Sequence, residues 1–291
     1  MESKILQNEL MSRHTTFRVG GPASYFVTVD NEEELSEAIS LAKEKEIPYF
    51  LLGNGSNLLV SDQGYEGLVI KLGGTFLSVS VEGETMTAGA AAMLTNVASL
   101  AYENGLAGLA FAYGIPGTIG GALYMNAGAY GGEMKDVVES VTIFTEEGIK
   151  HLTCEEMQFS YRESILKKEE IKGIILGCTL KLTKGNPAEI KAVMDQNMNS
   201  RKEKQPLEYP SAGSTFKRPE GYFAGKLISD AGLKGYTVGG AEVSTKHAGF
   251  VINKGDATAS DIYQLMADVT SKVYKEYGVT LEPEVLKLGK F

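Results

Sequence analysis

A long interval without charge is the feature of this sequence that most limits its fold. Between Glu103 and Glu133 there is no charged residue, and nine of the 29 intervening residues are glycine. Because glycine and Pro116 both disfavour helix, we expect neither a stable helix nor a membrane span here. The interval could form tight turns between buried strands. It could equally form loops whose N–H groups approach an anionic ligand closely, since glycine has no Cβ.

A second glycine-rich loop favours the ligand interpretation. The apolar run Tyr49-Phe-Leu-Leu52 predicts a strand, and Gly53-Asn-Gly-Ser-Asn57 follows it directly. Two such loops in one chain indicate a long ligand that carries a diphosphate and is held at two places. The second loop is not a dinucleotide-binding fingerprint, because Leu58 stands where a glycine would be needed. It is not a P-loop either, because no Gly-Lys-Ser/Thr follows.

Size, charge and cysteine content narrow the class of protein. A chain of 291 residues predicts two or three domains. The net charge of −9 argues against a nucleic-acid partner, which would require a basic face. The first residues contain no long apolar stretch, so no signal peptide and no membrane association are expected. Cys154 and Cys178 form no metal-binding pair and suit a reducing cytoplasm, and the three scattered histidines predict no metal site.

The apolar periodicity predicts a mixed α+β chain. Residues 17–71 have a βαβ pattern, in which Asn31 and Glu34 cap a helix between strands at 25–29 and 49–52, and a further strand covers 68–72. Strands are also predicted near 76–81, 137–144, 174–182, 249–253 and 282–288. Further helices are predicted over 91–103, from Pro187 to the basic last turn that contains Arg201, near 223–231, and up to Gly278.

Three polar residues are candidates for chemistry, each with an ordinary structural alternative. Ser214 lies in a loop of small residues before Lys217 and Arg218, which suits an anionic substrate, although a lone serine also caps helices and turns. As a hydrolase nucleophile it lacks a Gly-x-Ser-x-Gly setting, and His247 is the one histidine of the C-terminal lobe that could serve as its base. Arg162 could clamp a carboxylate or pair with a glutamate at the surface. Glu284, in the predicted terminal strand, points to one definite face or is simply solvated.

Seven motifs taken together resemble one enzyme family, the UDP-N-acetylenolpyruvoylglucosamine reductases, over nearly the whole chain and in order. They are His14-Thr-Thr-Phe-Arg-Val-Gly-Gly-Pro-Ala23, Gly53-Asn-Gly-Ser-Asn57, Ile115-Pro-Gly-Thr-Ile-Gly-Gly-Ala122 with Met125-Asn-Ala-Gly128, Phe159-Ser-Tyr-Arg-Glu-Ser164, Ala212-Gly-Ser-Thr-Phe216, His247-Ala-Gly-Phe250 and Leu281-Glu-Pro-Glu-Val285.

The resemblance implies an α+β flavoprotein with the two-subdomain FAD-binding fold of the vanillyl-alcohol oxidase type and a C-terminal α+β substrate domain. The corresponding boundaries are 1–72 and 73–201 for the FAD-binding subdomains and 202–291 for the substrate domain. The implied reaction passes hydride from NADPH to FAD and then to the enolpyruvyl ether of UDP-N-acetylglucosamine, giving UDP-N-acetylmuramate for peptidoglycan. No nucleic acid, membrane or obligate protein partner is implied, and the expected location is the cytoplasm.

The resemblance also implies roles for particular residues. Ser214 would donate the proton that completes the reduction, while Arg162 and Glu284 would bind or polarise the substrate carboxylate and stabilise the enolate-like intermediate. Further substrate contacts are expected from Tyr161, Gly213, Lys217 and Arg218. Contacts with FAD are expected from the two glycine-rich loops, at Gly53, Asn54, Gly55, Ser56, Asn57, Leu58, Ile115, Pro116, Gly117, Thr118, Gly121, Asn126 and Gly128.

The chain departs from part of the family. One branch carries a longer insertion after the tyrosine-arginine motif, with a tyrosine that covers the substrate, whereas here about ten residues separate Arg162 from the strand near Ile174. The chain resembles the shorter branch, so the residues that bind uridine are not identified. Many members have asparagine where Arg218 stands. The sequence also leaves open whether Lys226, Lys234 or Lys246 reaches a ligand.

Two other functions remain open from the sequence. A flavin oxidase of the same fold would share the FAD loops but not the set of Ser214, Arg162 and Glu284, and such oxidases often hold flavin covalently through histidine or cysteine. Neither glycine-rich loop contains either residue. A nucleotide-sugar binding protein without turnover would bind flavin but would not oxidise NADPH when substrate is added.

Overall fold

The computed structural model describes residues 2–291, and six α-helices organise them. None of these helices combines the length and hydrophobicity needed for a membrane crossing. The helices are α1 (Glu32–Glu44), α2 (Leu94–Glu103), α3 (Ile119–Tyr124), α4 (Pro187–Lys204), α5 (Ala224–Asp230) and α6 (Ala259–Tyr277).

Eighteen short strands form the sheets of the described chain. They are β1 (Leu6–Leu10), β2 (Pro22–Val29), β3 (Tyr49–Leu52), β4 (Leu58–Val60), β5 (Tyr65–Leu72), β6 (Val79–Glu82), β7 (Thr85–Gly89), β8 (Leu106–Ala107), β9 (Gly128–Ala129), β10 (Gly132–Glu133), β11 (Val138–Thr145), β12 (Gly148–Thr153), β13 (Ile174–Lys181), β14 (Thr183–Lys184), β15 (Thr237–Val238), β16 (Ala241–Val243), β17 (Val251–Asn253) and β18 (Leu286–Leu288).

The N-terminal sheet confirms the predicted βαβ unit. Its strand order is β1-β2-β5-β3, and β5 lies parallel to both β2 and β3. Helix α1 begins where predicted, because the Asn31 side chain accepts a hydrogen bond from the backbone N–H of Glu34. The buried face of α1 packs on this sheet through Leu35 and Ala38. The glycine-rich loop at 53–57 therefore leaves the carboxyl end of β3, where open α/β sheets bind ligands.

The second sheet is antiparallel throughout, in the order β12-β11-β13-β7-β6. It confirms the strands predicted near 137–144 and 174–182. The strand predicted near 76–81 is partly wrong, because residues Gly74–Leu77 form a 3₁₀ turn and the strand begins at Val79. The turn buries Phe76 in the core beneath the first sheet, and the backbone N–H of Thr75 donates to the Asp30 carbonyl. Tertiary contacts thus outweigh the extended pattern of this segment.

The charge-free interval contains a helix, which contradicts the expectation that no stable helix forms there. Helix α3 is short, and Thr118 caps it by accepting a hydrogen bond from Gly121. Its first backbone N–H groups bond outside the helix, Ile119 to the Ala92 carbonyl and Gly120 to the Ala90 carbonyl. These tertiary hydrogen bonds stabilise a turn of helix that the glycine content alone would not support. The helix predicted over 91–103 begins later, at Leu94, because the preceding residues supply these carbonyl partners.

The C-terminal part packs α5 and α6 against a small sheet of β15, β16 and β17. Helix α4 confirms the predicted start, with Pro187 in its first turn and the Asn186 side chain as cap. The terminal strand is shorter than predicted: β18 begins at Leu286, so Glu284 lies before it and outside any strand. Strand β18 pairs in parallel with β4. This pairing places Glu284 beside the loop that precedes β4.

Candidate functional site

The two glycine-rich loops border one large cavity, which we call the cofactor cavity. Its volume is about 740 Å³, within the range of ligand pockets in proteins. Ten of the thirteen predicted FAD contacts line it: Gly53, Asn54, Gly55, Ser56, Asn57, Leu58, Ile115, Gly117, Thr118 and Gly121.

The absence of Cβ atoms lets the loops of the cofactor cavity pack closely. A Cβ on Gly53 would lie 2.8 Å from Oγ1 of Thr118. Gly55 has a φ of +61°, and a Cβ there would overlap the carbonyl oxygen of His14 and lie 2.9 Å from Cα of Thr15. The Asn54 side-chain amide donates to the Pro116 carbonyl (2.7 Å) and so ties the two loops together. The glycines are therefore required for the shape of the cavity.

The electrostatics of the cofactor cavity suit an anionic ligand. Its lining includes His14, Lys71 and Lys167, and no aspartate or glutamate among the residues the structure describes. Glycine-loop amides together with cations and without carboxylates favour a diphosphate. Much of the remaining wall is apolar, with Leu51, Ile115 and other aliphatic side chains. A diphosphate that links an aromatic ring system to a nucleotide, as in FAD, fits this combination.

Three predicted FAD contacts do not line the cofactor cavity. Pro116 contributes its carbonyl to the loop contact described above. Asn126 is fully buried, and its side chain bonds to Glu133 (2.7 Å), the carbonyl of Ser160 (3.0 Å) and the N–H of Lys135 (3.0 Å). Gly128 accepts a hydrogen bond from Arg162 instead. All three hold neighbouring backbone in place, and their direct contact with FAD stays a prediction.

A second cavity of about 370 Å³ brings together Arg162, Ser214 and Glu284, and we call it the substrate cavity. Nε of Arg162 donates to Oε1 of Glu284 at 2.9 Å, and Nη2 of Arg162 donates to the Gly128 carbonyl at 3.0 Å. The side chains of Arg162 and Glu284 are 19% and 10% exposed. The alternative of an arginine paired at the surface is therefore wrong for Arg162. The glutamate that pairs with Arg162, Glu284, is distant in sequence and almost buried.

Burial controls the ionisation of Glu284. Removal from water raises the pKa of this carboxyl, and the adjacent Arg162 guanidinium opposes that rise. The backbone of Glu284 is fixed on two sides, because its N–H donates to the Thr215 carbonyl (2.8 Å) and its carbonyl accepts from the Asn57 side chain (3.0 Å). Since Asn57 lines the cofactor cavity, the two cavities adjoin at this point.

Ser214 is exposed to the substrate cavity on a rigid support. The next residue, Thr215, is fully buried; its N–H donates to the Gly249 carbonyl (2.8 Å) and its hydroxyl accepts from the N–H of Val251 (3.0 Å). His247 lines the same cavity, and burial lowers the pKa of its imidazole. Its Nδ1 accepts a hydrogen bond from Gly249, and within residues 2–291 no hydrogen bond joins it to Ser214. A hydrolase pair of serine and histidine is thus not formed.

Two of the four predicted substrate contacts line the substrate cavity, namely Tyr161 and Arg218. The backbone N–H of Arg218 donates to the Tyr161 hydroxyl (3.2 Å), and the Arg218 guanidinium lies 3.9 Å from the ring centre of Phe223. Gly213 and Lys217 lie outside the lining. The ammonium of Lys217 is held between Glu163 (3.2 Å) and Glu282 (2.6 Å). The substrate roles of all four stay predictions.

Several lining residues were not identified from the sequence. In the substrate cavity they include Phe223, and in the cofactor cavity they include His14 and Lys167. The substrate cavity is also lined by Lys226, Lys234 and Lys246, whose contact with a ligand the sequence left open. Lys226, Lys234 and Lys246 resemble surface lysines in sequence, and only the fold brings them together. His14 does belong to a motif that marks the family. It bonds to Glu9 (3.0 Å) and stacks on Phe26, so it is held beside the loop at 53–57.

Comparisons with known proteins agree with this architecture. The family model of the UDP-N-acetylenolpyruvoylglucosamine reductase C-terminal domain matches residues 205–288, and that of an FAD binding domain matches residues 23–153. A UDP-N-acetylenolpyruvoylglucosamine reductase of Caldanaerobacter subterraneus subsp. tengcongensis is 51% identical over 290 residues, which cover 99% of this chain and 95% of the relative. One of Clostridioides difficile is 50% identical over 284 residues, covering 97% and 93%.

A solved structure shows the same fold over the full length. The UDP-N-acetylenolpyruvylglucosamine reductase from Thermus caldophilus superimposes with a TM-score of 0.85 at 38% identity, and the match covers 98% of each chain. The predicted combination of an FAD-binding unit with a C-terminal α+β domain is confirmed. The chain belongs to the UDP-N-acetylenolpyruvoylglucosamine reductase family.

Proposed function

We propose that this protein uses NADPH to reduce the enolpyruvyl ether of UDP-N-acetylglucosamine to the lactyl ether, which yields UDP-N-acetylmuramate for peptidoglycan. Membership of the reductase family supports this activity. The observation that carries the proposal is the meeting of Arg162, Ser214 and Glu284 in one cavity that adjoins the glycine-rich cofactor cavity. These residues are distant in sequence, and their types are those that the reduction of an unsaturated carboxylate requires.

The glycine-rich loops would hold FAD, with the backbone amides of residues 53–57 available to its diphosphate. When bound, FAD supplies the hydride chemistry, taking hydride from NADPH and delivering it to the substrate alkene. Thr118 and Asn54 hold the loops in the required arrangement through the cap of α3 and the contact with Pro116.

Arg162 is suited to bind the substrate carboxylate. Its Nε and Nη2 atoms bond to Glu284 and Gly128, which leaves Nη1 without a hydrogen bond to any described residue. That free N–H group, on a guanidinium whose direction is fixed, can donate to a carboxylate in the cavity. The positive charge also lowers the energy of the negative charge that develops when the alkene is reduced. Glu284 thus acts as the residue that orients Arg162.

Ser214 is suited to supply the proton. When hydride forms a C–H bond at one alkene carbon, the electron pair of the double bond remains on the carbon beside the carboxylate. That carbon is strongly basic, so a positioned hydroxyl is acidic enough to form the second C–H bond. The Ser214 alkoxide then recovers a proton from water, which reaches it because the residue is exposed.

The remaining groups of the substrate cavity suit a nucleotide diphosphate. Arg218, Lys226, Lys234 and Lys246 place cations around it. We also propose the cytoplasm as the location of the protein. Its two cysteines are free thiols, as in a reducing compartment.

Single-turnover kinetics of Ser214→Ala test the proposal. We expect anaerobic NADPH to reduce the flavin of this variant at the wild-type rate, because Ser214 does not line the cofactor cavity. Reoxidation by the enolpyruvyl substrate should fall by roughly 10²–10⁴-fold, the usual contribution of a positioned acid. Ser211→Ala, a matched change in the same loop outside both cavities, should leave both half-reactions intact. Equal loss of both half-reactions in Ser214→Ala would refute the proton-donor role.

A further inference from the structure

Lys167 lies at the boundary between the two cavities. Its side chain lines the cofactor cavity, and its ammonium donates a hydrogen bond to the backbone carbonyl of Arg162 at 2.7 Å. Arg162 has a left-handed backbone, with φ of +59°, which is uncommon for a residue with a side chain. Lys167 therefore contacts the catalytic arginine on one side and the cofactor space on the other.

The segment that carries Lys167 is held in place by hydrogen bonds of Ser164, which is fully buried. The Ser164 hydroxyl donates to the Tyr124 carbonyl (2.6 Å) and accepts from the backbone N–H of Lys167 (3.3 Å). Because both ends of the side chain are anchored, its ammonium has a defined position rather than the mobility of a surface lysine.

The positive charge of Lys167 is not neutralised by a direct partner. Among the described residues 2–291, no carboxylate forms an ion pair with it, whereas Lys217 nearby is held between two carboxylates. The acidic groups that face Lys167 from a distance are Glu163, Glu282 and Glu284, and Lys217 opposes them. Half-burial lowers the pKa of Lys167, which reflects the cost of keeping this charge out of water. A half-buried ammonium without a carboxylate partner requires an explanation.

The place where the two cavities meet relates Lys167 to the proposed reaction. A substrate held by Arg162, Ser214 and Glu284 can receive hydride only from a donor that lies beside these residues. The cofactor cavity meets them where Asn57 bonds to the Glu284 backbone and where Lys167 bonds to the Arg162 backbone. Bound FAD would therefore place the ring that exchanges hydride at the end of the cavity that Lys167 borders.

We propose that Lys167 is a tuning residue for the flavin, whose ammonium stabilises the negative charge that the ring gains on reduction and so favours reduction by NADPH. A hydride carries two electrons and one proton, so a neutral oxidised ring that accepts it becomes an anion while NADPH becomes NADP⁺. A fixed cation in a half-buried site attracts that anion more strongly than the same cation would in bulk water. This inference rests on the proposed placement of FAD in the cofactor cavity.

Anaerobic titration of the flavin against a redox dye of known potential tests the inference without substrate. Lys167→Gln removes the charge and keeps a hydrogen-bond donor for the Arg162 carbonyl, Lys167→Arg keeps the charge, and Lys167→Met removes both. Lys168→Gln is the matched control, because Lys168 is exposed and lines neither cavity. Flavin content and circular dichroism are measured on the same samples.

We expect Lys167→Gln and Lys167→Met to shift the reduction equilibrium towards oxidised flavin by about tenfold or more, which is about 30 mV for a two-electron couple. Lys167→Arg should stay within about twofold of wild type, and Lys168→Gln should not differ. A shift in Lys167→Met without one in Lys167→Gln would assign the effect to the hydrogen bond and overturn the inference, as would no shift in either. If Lys167→Met does not fold, Lys167→Gln and Lys167→Arg decide the question. Wild-type protein that takes up no flavin would refute the proposed function itself.

Discussion

Replacement of Gly55 by alanine should destroy the cofactor cavity. An alanine at φ of +61° costs about 1–2 kcal/mol relative to glycine, because its Cβ is crowded in the left-handed region. The new Cβ would also overlap the His14 carbonyl oxygen and crowd Cα of Thr15, so this loop must move. The movement breaks the hydrogen bond from the Thr16 N–H to the Gly55 carbonyl (3.2 Å), which contributes about 1 kcal/mol. The sum predicts a loss of about 2–3 kcal/mol in the free energy of unfolding, before any effect on FAD.

A matched glycine separates backbone strain from crowding. Gly83 has nearly the same φ, +62°, with no atom within 4 Å of an added Cβ. Urea unfolding should therefore give Gly83→Ala a loss of only about 1–2 kcal/mol. Titration of FAD into apoprotein should show unchanged affinity for Gly83→Ala and at least about 100-fold weaker binding for Gly55→Ala, equivalent to about 2.7 kcal/mol. Wild-type FAD affinity in Gly55→Ala would show that this loop does not cradle the cofactor.

Three other predictions concern the substrate cavity. Arg162→Lys keeps a positive charge but cannot bond at once to Glu284, Gly128 and a carboxylate, so substrate reoxidation of the flavin should fall by about 10²–10³-fold while reduction by NADPH is unchanged in stopped-flow traces. Phe223 lines the substrate cavity and is exposed, so Phe223→Ala should weaken binding of UDP by about 1–3 kcal/mol in calorimetry through loss of a stacking face for uracil. Because Arg218 also contacts this ring, binding of inorganic diphosphate should weaken by less, and equal loss for both would contradict the stacking role. Burial raises the pKa of the Glu284 carboxyl in the folded state, so the folded protein binds a proton at this carboxyl more tightly than the unfolded chain does. The protonated carboxyl therefore favours folding at low pH, and this contribution to the free energy of unfolding is lost as pH rises through the folded-state pKa. Glutamine does not ionise, so in urea unfolding from pH 4 to 8 the free energy of unfolding of Glu284→Gln should rise relative to that of wild type as pH increases. A fall relative to wild type would contradict a raised pKa of Glu284.

Local signals in the sequence predicted the elements that depend on local contacts. Asn31 with Glu34, Asn186 with Pro187, and Gly278 all mark helix ends that the structure confirms, because capping involves residues a few positions apart. Helix α3 was missed because its N–H groups bond to carbonyls from another segment of the chain. The terminal strand was predicted too long for a related reason: β18 pairs only over the three residues that face β4.

Residues of the candidate site could likewise be predicted only where a sequence motif marks them. Ser214, Arg162 and Glu284 were identified because they belong to motifs that mark the family, and the structure brings them to one cavity. Lys167 was missed because a lysine in a lysine-rich turn is usually at the surface. Its burial and its contact with the Arg162 carbonyl depend on how residues 162–167 fold over Tyr124, which no local pattern expresses.

The most direct test of the account is an anaerobic absorbance experiment on the purified wild-type protein. NADPH is added first, and the enolpyruvyl ether of UDP-N-acetylglucosamine is added after the NADPH is consumed. We predict that the visible band of oxidised flavin bleaches with NADPH and returns in proportion to the substrate added. Absence of the band, or a bleached band that returns only when air is admitted, would contradict the reductase account.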